Sequence, residues 1–140
     1  RGASAWSESW RRSIVVVHKL IWIAVAGGIG ALARYGLAGV FPTSHSGGFP
    51  LGTLIVNVVG CFIFGLLWAV LEDKLSVSGE MRAILFTGFL GAFTTFSTFV
   101  FETRQLLVEL QYTLAVANVA VQNTLGLICL VVGFGIGRLI

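Results

Sequence analysis

The chain has 140 residues, of which 56% are hydrophobic and only 11% charged, and its mean hydropathy is +0.94. Soluble domains carry about 45–50% apolar and about 25% charged residues, so this composition excludes an ordinary soluble enzyme, a nucleic-acid binder and a disordered chain. Nine Lys and Arg against six Asp and Glu leave a formal charge of +3, but the spacing of the charges says more than their sum. None stands between Tyr35 and Leu71, none in the 19 residues from Ala83 to Phe101, and none in the 28 that Glu109 and Arg138 bracket. A soluble helix needs a polar face and a surface strand must alternate. The reading is an all-α integral membrane protein.

Size limits the kind. A span takes about 20 predominantly apolar residues, which leaves room for four or five helices and none for a soluble catalytic domain. Four helices are few to enclose a polar path alone, so an oligomer is expected. Cys61 and Cys129 fall inside apolar runs and read as small hydrophobes, not as a disulfide framework or metal site.

In chain order, the residues from Arg1 to His18 form a separate N-terminal tail. It is read as frayed or vector-derived, with a short interfacial helix carrying Trp6 and Trp10 before Arg11 and Arg12 as an alternative. A signal peptide cut after Ala33 is disfavoured, because Arg34 would follow the cut at once. The membrane domain is assigned to residues 19–140. Its first span covers about 19–40, with Trp22 and Tyr35 near its ends. Residues 41–50 (Phe-Pro-Thr-Ser-His-Ser-Gly-Gly-Phe-Pro) read as an irregular loop with a solvated His45. The second span opens after Pro50 and covers about 50–71, with Trp68 as an interface marker. Ser78-Gly79-Glu80 offers a cap for the third span, about 81–107, and the fourth covers about 112–136.

Seven basic residues (Arg1, Arg11, Arg12, Lys19, Lys74, Arg82 and Arg138) then share one face, against Arg34 and Arg104 on the other. The positive-inside rule places both termini in the cytoplasm. Without the three tail arginines the bias falls to four against two, weak enough for insertion both ways.

Polar side chains inside apolar spans are costly and must line a path or find a partner. Asn57 lies mid-span with Thr53 one turn earlier on the same face. Asn118 and Gln122, also four apart, form a second polar stripe in the last span. Both stripes fit interhelical hydrogen bonding as well as a pore. The third span is more distinctive: Gly91-Ala92-Phe93-Thr94-Thr95-Phe96-Ser97-Thr98-Phe99 packs four hydroxyls and three phenyl rings into nine residues. Ser and Thr compete for backbone groups, so a helix break is expected here. A break at that depth survives only when buried in protein or lining a wet cavity, where it turns carbonyls toward cations and N–H groups toward anions. Phe96 and Phe99 share a face: turned to a path, their electropositive ring edges favour a small anion, and otherwise the pair is lipid-facing or core packing. The remaining glycines of the spans allow close helix packing. No Lys or Arg lies mid-span, and no nucleophile has a plausible base, so the chain is not expected to be an enzyme.

Gly27-Gly28-Ile29-Gly30-Ala31-Leu32-Ala33-Arg34-Tyr35, then Gly52-Thr53-Leu54 with Asn57 and Gly60, then Gly88 to Phe99 ending Thr-Thr-Phe-Ser-Thr-Phe, resembles the Fluc (CrcB) family of fluoride ion channels. The resemblance runs in order from about Gly27 to Gly126. It implies an antiparallel, dual-topology homodimer of four-helix subunits in the cell membrane. Two pores would carry fluoride passively out of the cytoplasm, and a structural sodium ion would sit at the dimer centre where the broken helices cross. On this resemblance Asn57 donates to fluoride and the edges of Phe96 and Phe99 contact it. Thr53, Ser97 and Thr98 are polar lining, and the carbonyls of Gly91 and Thr94 hold sodium. Asn118 and Gln122 complete the fluoride path on a polar track of the last helix that is often hydroxyl-bearing in the family, so amides there are a departure in type. Arg34 is a vestibule or packing residue and Glu102 a polar residue near the pore. The implied partners are fluoride, membrane lipid and an identical subunit, with no nucleic acid. Two other readings are weighed: a small dual-topology proton-coupled exporter, which needs a mid-membrane carboxylate absent from the first two spans before Glu72, and a non-conducting structural subunit, which leaves the clustered hydroxyls and rings unexplained.

Overall fold

The computed structural model describes residues 2–41, 48–73 and 77–140, with only the backbone described at 2–9, 11, 12 and 73. Arg1, His45 and Lys74 lie outside the described residues. Every regular element among those described is helical: α1 (Gly2–Val40), α2 (Leu51–Asp73), α3 (Gly79–Arg82), a π-helical stretch Ala83–Leu90, α4 (Gly91–Phe93), α5 (Phe96–Val108) and α6 (Tyr112–Leu139). Four lengths are long and apolar enough to cross a membrane: Ser13–Val40, Leu51–Glu72, Gly79–Val108 and Tyr112–Leu139. The protein is a multi-pass membrane protein.

The first helix departs from the expected span. Residues 2–18 are helical and continuous with it. Helix propagation adds one hydrogen bond per residue and needs no apolar surface, and between Ala3 and His18 there is neither Pro nor Gly to stop it. At 1.5 Å per residue the 39 residues of α1 reach about 58 Å, roughly twice a bilayer core.

The other boundaries follow local chemistry. The Pro50 carbonyl takes the Leu54 N–H at 3.1 Å and starts α2. Ser78 caps α3, its hydroxyl accepting from the Met81 N–H at 3.3 Å. Near the end of α2, the Trp68 indole donates to Glu72 at 2.8 Å, while Arg82 donates to the Leu71 carbonyl at 3.0 Å and lies over the Trp68 ring. Leu110, at φ 61°, turns the chain tightly from α5 into α6.

Small residues set the helix distances. A Cβ on Gly65 would collide with the Leu130 carbonyl, and one on Gly133 with the Phe62 carbonyl, so α2 and α6 touch backbone to backbone. Along their length Asn57 meets Gln122, Cys61 meets Gly126 and Ala69 meets Gly137, so the two helices run parallel, as the second and fourth spans of a four-span chain must. Gly30 likewise admits the Phe89 carbonyl, seating α1 on the π-helical stretch. With lipid as apolar as the side chains, such close packing is what drives association in a membrane. A small core of Val56, Leu90 and Phe93 closes the centre, just before the third span breaks.

Candidate functional site

The third span breaks near its middle, where the hydroxyl-rich run predicts a break. Thr94 (φ −81°, ψ 158°) and Thr95 (φ −147°, ψ 110°) are extended between α4 and α5. Side chains replace the lost helix bonds. The Asn57 Oδ1 accepts from the Thr95 N–H at 2.8 Å, and Asn57 Nδ2 donates to the Thr95 carbonyl at 3.1 Å. The Thr95 hydroxyl accepts the Thr98 N–H at 3.2 Å and donates to the Thr98 hydroxyl at 2.8 Å, which starts α5. Thr94 turns back, its hydroxyl donating to the Leu90 carbonyl at 3.0 Å. Gly60 makes room for this turn, since a Cβ there would strike the Thr94 methyl.

These bonds leave carbonyls at the end of α4 without helix donors. The amide that would bond the Gly91 carbonyl, Thr95 N–H, goes to Asn57, and the one that would bond Thr94, Thr98 N–H, goes to the Thr95 hydroxyl. On the other side of the break, Phe96 and Ser97 present first-turn N–H groups with no preceding turn to donate into. The break thus carries acceptors on one side and donors on the other.

The amides of the last span extend the network. Asn57 Nδ2 also donates to Gln122 Oε1 at 2.8 Å, Gln122 Nε2 to Asn118 Oδ1 at 3.0 Å, and Asn118 Nδ2 to the Thr103 hydroxyl at 2.9 Å. Thr103 in turn donates to the Phe99 carbonyl at 2.8 Å. Asn118 is 0% and Gln122 7% exposed, so both stripes expected from the sequence meet inside the subunit. Thr53 is buried as well and donates to Glu102 Oε1 at 2.7 Å, while Glu102 Oε2 is buried without a partner among the described residues.

Phe96 and Phe99 lie together, with ring centroids 5.6 Å apart and planes at 56°. Phe99 is buried at 8% exposure, whereas Phe96 stands out from the subunit at 76%. Ser97 is exposed beside Phe96, and Thr98 is half-buried. A cavity of about 330 Å³ lies against the break, lined by Asn57, Gly91, Thr94, Thr95 and Phe96 among others. Another, of about 430 Å³, opens on the far side of Thr95 and is lined by Arg34, Tyr35, Thr53, Thr95 and Thr98. The Arg34 Nε is buried in its wall without a partner among the described residues.

The structure therefore joins Asn57 to Gln122 and Asn118 in one chain, and sets Thr53, Thr98 and Arg34 on one cavity. Gly91, Thr94 and Phe96 lie on the other. Sequence reasoning missed Thr103, which ends the amide chain; a lone Thr in a polar part of the span gives no signal of a partner fifteen residues away. It also passed over Thr95 as a separate residue, although Thr95 both caps α5 and pairs with Asn57. Among the described residues no group of three or more His, Cys, Asp or Glu is placed to hold a metal.

A bundle of four spans with broken, hydrogen-bonded backbone at its polar centre defines a small multi-pass membrane protein of the kind that conducts or transports ions. The model of the family described as CrcB-like protein, Camphor Resistance (CrcB), matches residues 21–134. The chain is 49% identical over 123 residues to the fluoride-specific ion channel FluC of Nitrosococcus oceani, covering 88% of this chain and 98% of that protein. It is 47% identical over 123 residues to the FluC of Desulforapulum autotrophicum, with the same coverage of each. With the FluC of Nitratidesulfovibrio vulgaris (strain Miyazaki F) it shares 47% over 124 residues, covering 89% of this chain and all of that protein. The chain belongs to the CrcB family.

Proposed function

We propose that the chain is a fluoride-selective ion channel that lets fluoride leave the cytoplasm passively and so confers resistance to it. The observation that carries this reading is the clasped break: Asn57 holds Thr95 in extended conformation, directly before the Phe96–Phe99 ring pair. Relatives named as fluoride-specific channels, matched along nearly their whole length, support it.

Fluoride is small and tightly hydrated, so it sheds water only where donors follow one another and no single site traps it. Arg34 attracts anions to the mouth from the wall of the larger cavity. Thr53, Ser97 and Thr98 continue the polar lining, and the edges of Phe96 and Phe99 meet the ion where Asn57 offers an amide. Asn118 and Gln122 extend the polar lining from Asn57 along the last span.

The exposure of Phe96 and the open cavity at the break suit a second copy of the chain, antiparallel to the first, with two pores per dimer. The Gly91 and Thr94 carbonyls lack helix donors, and such oxygens suit a hard cation. Two from each subunit would hold a sodium ion at the dimer centre, where its charge offsets anion repulsion in a low dielectric.

The test is rescue in cells. Bacteria made fluoride-sensitive by loss of their own fluoride exporter should regain growth in fluoride when they make this chain. Sensitivity unchanged, with the chain present in the membrane, contradicts the reading.

A further inference from the structure

Asn57 has two N–H groups, and both are engaged, one by the Thr95 carbonyl and one by Gln122 Oε1. An ion received by Asn57 must displace one of these acceptors. The Thr95 carbonyl belongs to the backbone and is fixed by the return bond from Thr95 N–H to Asn57 Oδ1. Gln122 Oε1 is the terminal atom of a side chain. At 2.8 Å from Asn57 Nδ2 it takes the N–H that an accepting anion would take.

The four bonds beyond Asn57 also share one direction. Asn57 donates to Gln122, Gln122 to Asn118, Asn118 to Thr103, and Thr103 to the Phe99 carbonyl. An amide is nearly the same shape with its oxygen and nitrogen exchanged, and a hydroxyl can donate or accept by rotation. The chain can therefore turn over in place. In the reversed state Thr103 donates to Asn118 Oδ1, and Asn118 Nδ2 donates to Gln122 Oε1. The Gln122 Nε2 then faces Asn57. Asn57 Nδ2 and Gln122 Nε2 then stand side by side where a donor met its acceptor, and an anion seated beside the pair accepts from both. The Phe99 carbonyl gives up only its side-chain bond, and no buried side-chain amide is stranded, which matters because an unpaired buried polar group is costly.

We propose that Gln122 is an amide gate for the anion: its carbonyl oxygen occupies the Asn57 N–H while the path is empty, and reversal of the Gln122–Asn118–Thr103 chain frees that N–H and presents the Gln122 N–H beside it to the arriving ion. This rests on the channel reading above and adds a specificity-determining residue to it. An ion that accepts hydrogen bonds strongly drives the reversal; a weak acceptor such as chloride does so less.

The test combines flux with a signal from the amide itself. Uniformly ¹⁵N-labelled protein in liposomes is compared in fluoride and in equal chloride by solid-state NMR, with the Gln122 side-chain amide assigned by its loss in Gln122→Met. Gln122→Glu serves for assignment if the Met variant does not assemble. The Gln122 amide proton resonance is expected to move in fluoride and not in chloride. Gln122→Met is expected to release fluoride about ten- to a hundredfold more slowly than wild type, the range that a hydrogen bond to a charged acceptor carries. A Gln122 resonance that is the same in both salts overturns the gate, as does wild-type flux in a correctly assembled Gln122→Met. Wild-type protein that releases no fluoride overturns the channel reading instead, so the two failures are distinct.

Discussion

Asn57 and Thr95, 38 residues apart in the chain, pair as two backbone residues would: the Asn57 amide gives one hydrogen bond to the Thr95 carbonyl and takes one from its N–H. A side chain thereby replaces the helix turn that Thr94 and Thr95 forgo, and the third span can stay broken inside a membrane. That exchange makes Asn57 both a brace and a donor.

Asn57→Asp removes the donor and one of the two bonds of the brace. Aspartate keeps the acceptor for the Thr95 N–H but loses both donated bonds, and sets an oxygen against the Thr95 carbonyl and Gln122 Oε1. Fluoride release should fall at least about tenfold, as expected when a charge-assisted hydrogen bond is replaced by repulsion. An unchanged rate in liposomes contradicts the role.

Phe96→Ile and Phe99→Ile test the ring pair. Isoleucine keeps apolar bulk and removes the electropositive ring edge. Each variant should assemble like wild type by size-exclusion chromatography and lose most of its fluoride flux. Normal flux in both excludes ring-edge contact with the ion.

The pairing of Asn57 was only half legible in the sequence. Charge-free runs reveal the four spans, and the hydroxyl-rich segment marks the break, because both signals are local. Partners are not local. Nothing in the spacing joins Asn57 to Gln122, 65 residues on, or Asn118 to Thr103. The two phenyl rings share a face by their spacing, yet one is buried and the other projects, which depends on how α5 lies against its neighbours. The continuity of α1 through residues 2–18, where the sequence offered a short helix only as an alternative, was not legible because apolar runs mark membrane boundaries and do not mark where a helix begins. The resemblance located Asn57, but not the two acceptors that hold its amide.

The glycine seam should be sensitive to volume. Gly65→Val or Gly133→Val forces α2 and α6 apart and should destabilise the fold by about 1–3 kcal/mol, the usual range for overpacking. A lowered midpoint of thermal unfolding in detergent checks this. Gly135 is the control, because a Cβ added there would meet nothing within 4 Å. Gly135→Ala should leave the midpoint unchanged or raise it.

Leu110 offers the opposite effect. Its φ of 61° is left-handed, a region that costs a branched residue about 1–2 kcal/mol and that glycine enters freely. Leu110 is exposed, so little packing is lost in Leu110→Gly. The variant should raise the unfolding midpoint, and a fall would show that the Leu110 side chain holds the turn.

Fluoride conduction is read from efflux out of liposomes. Purified protein is reconstituted, valinomycin is added for charge balance, and release is followed with a fluoride electrode, with chloride-loaded vesicles in parallel. Rapid fluoride release with chloride retained is the predicted result. Retention of fluoride by vesicles that hold well-folded protein, or equal release of both ions, would contradict it.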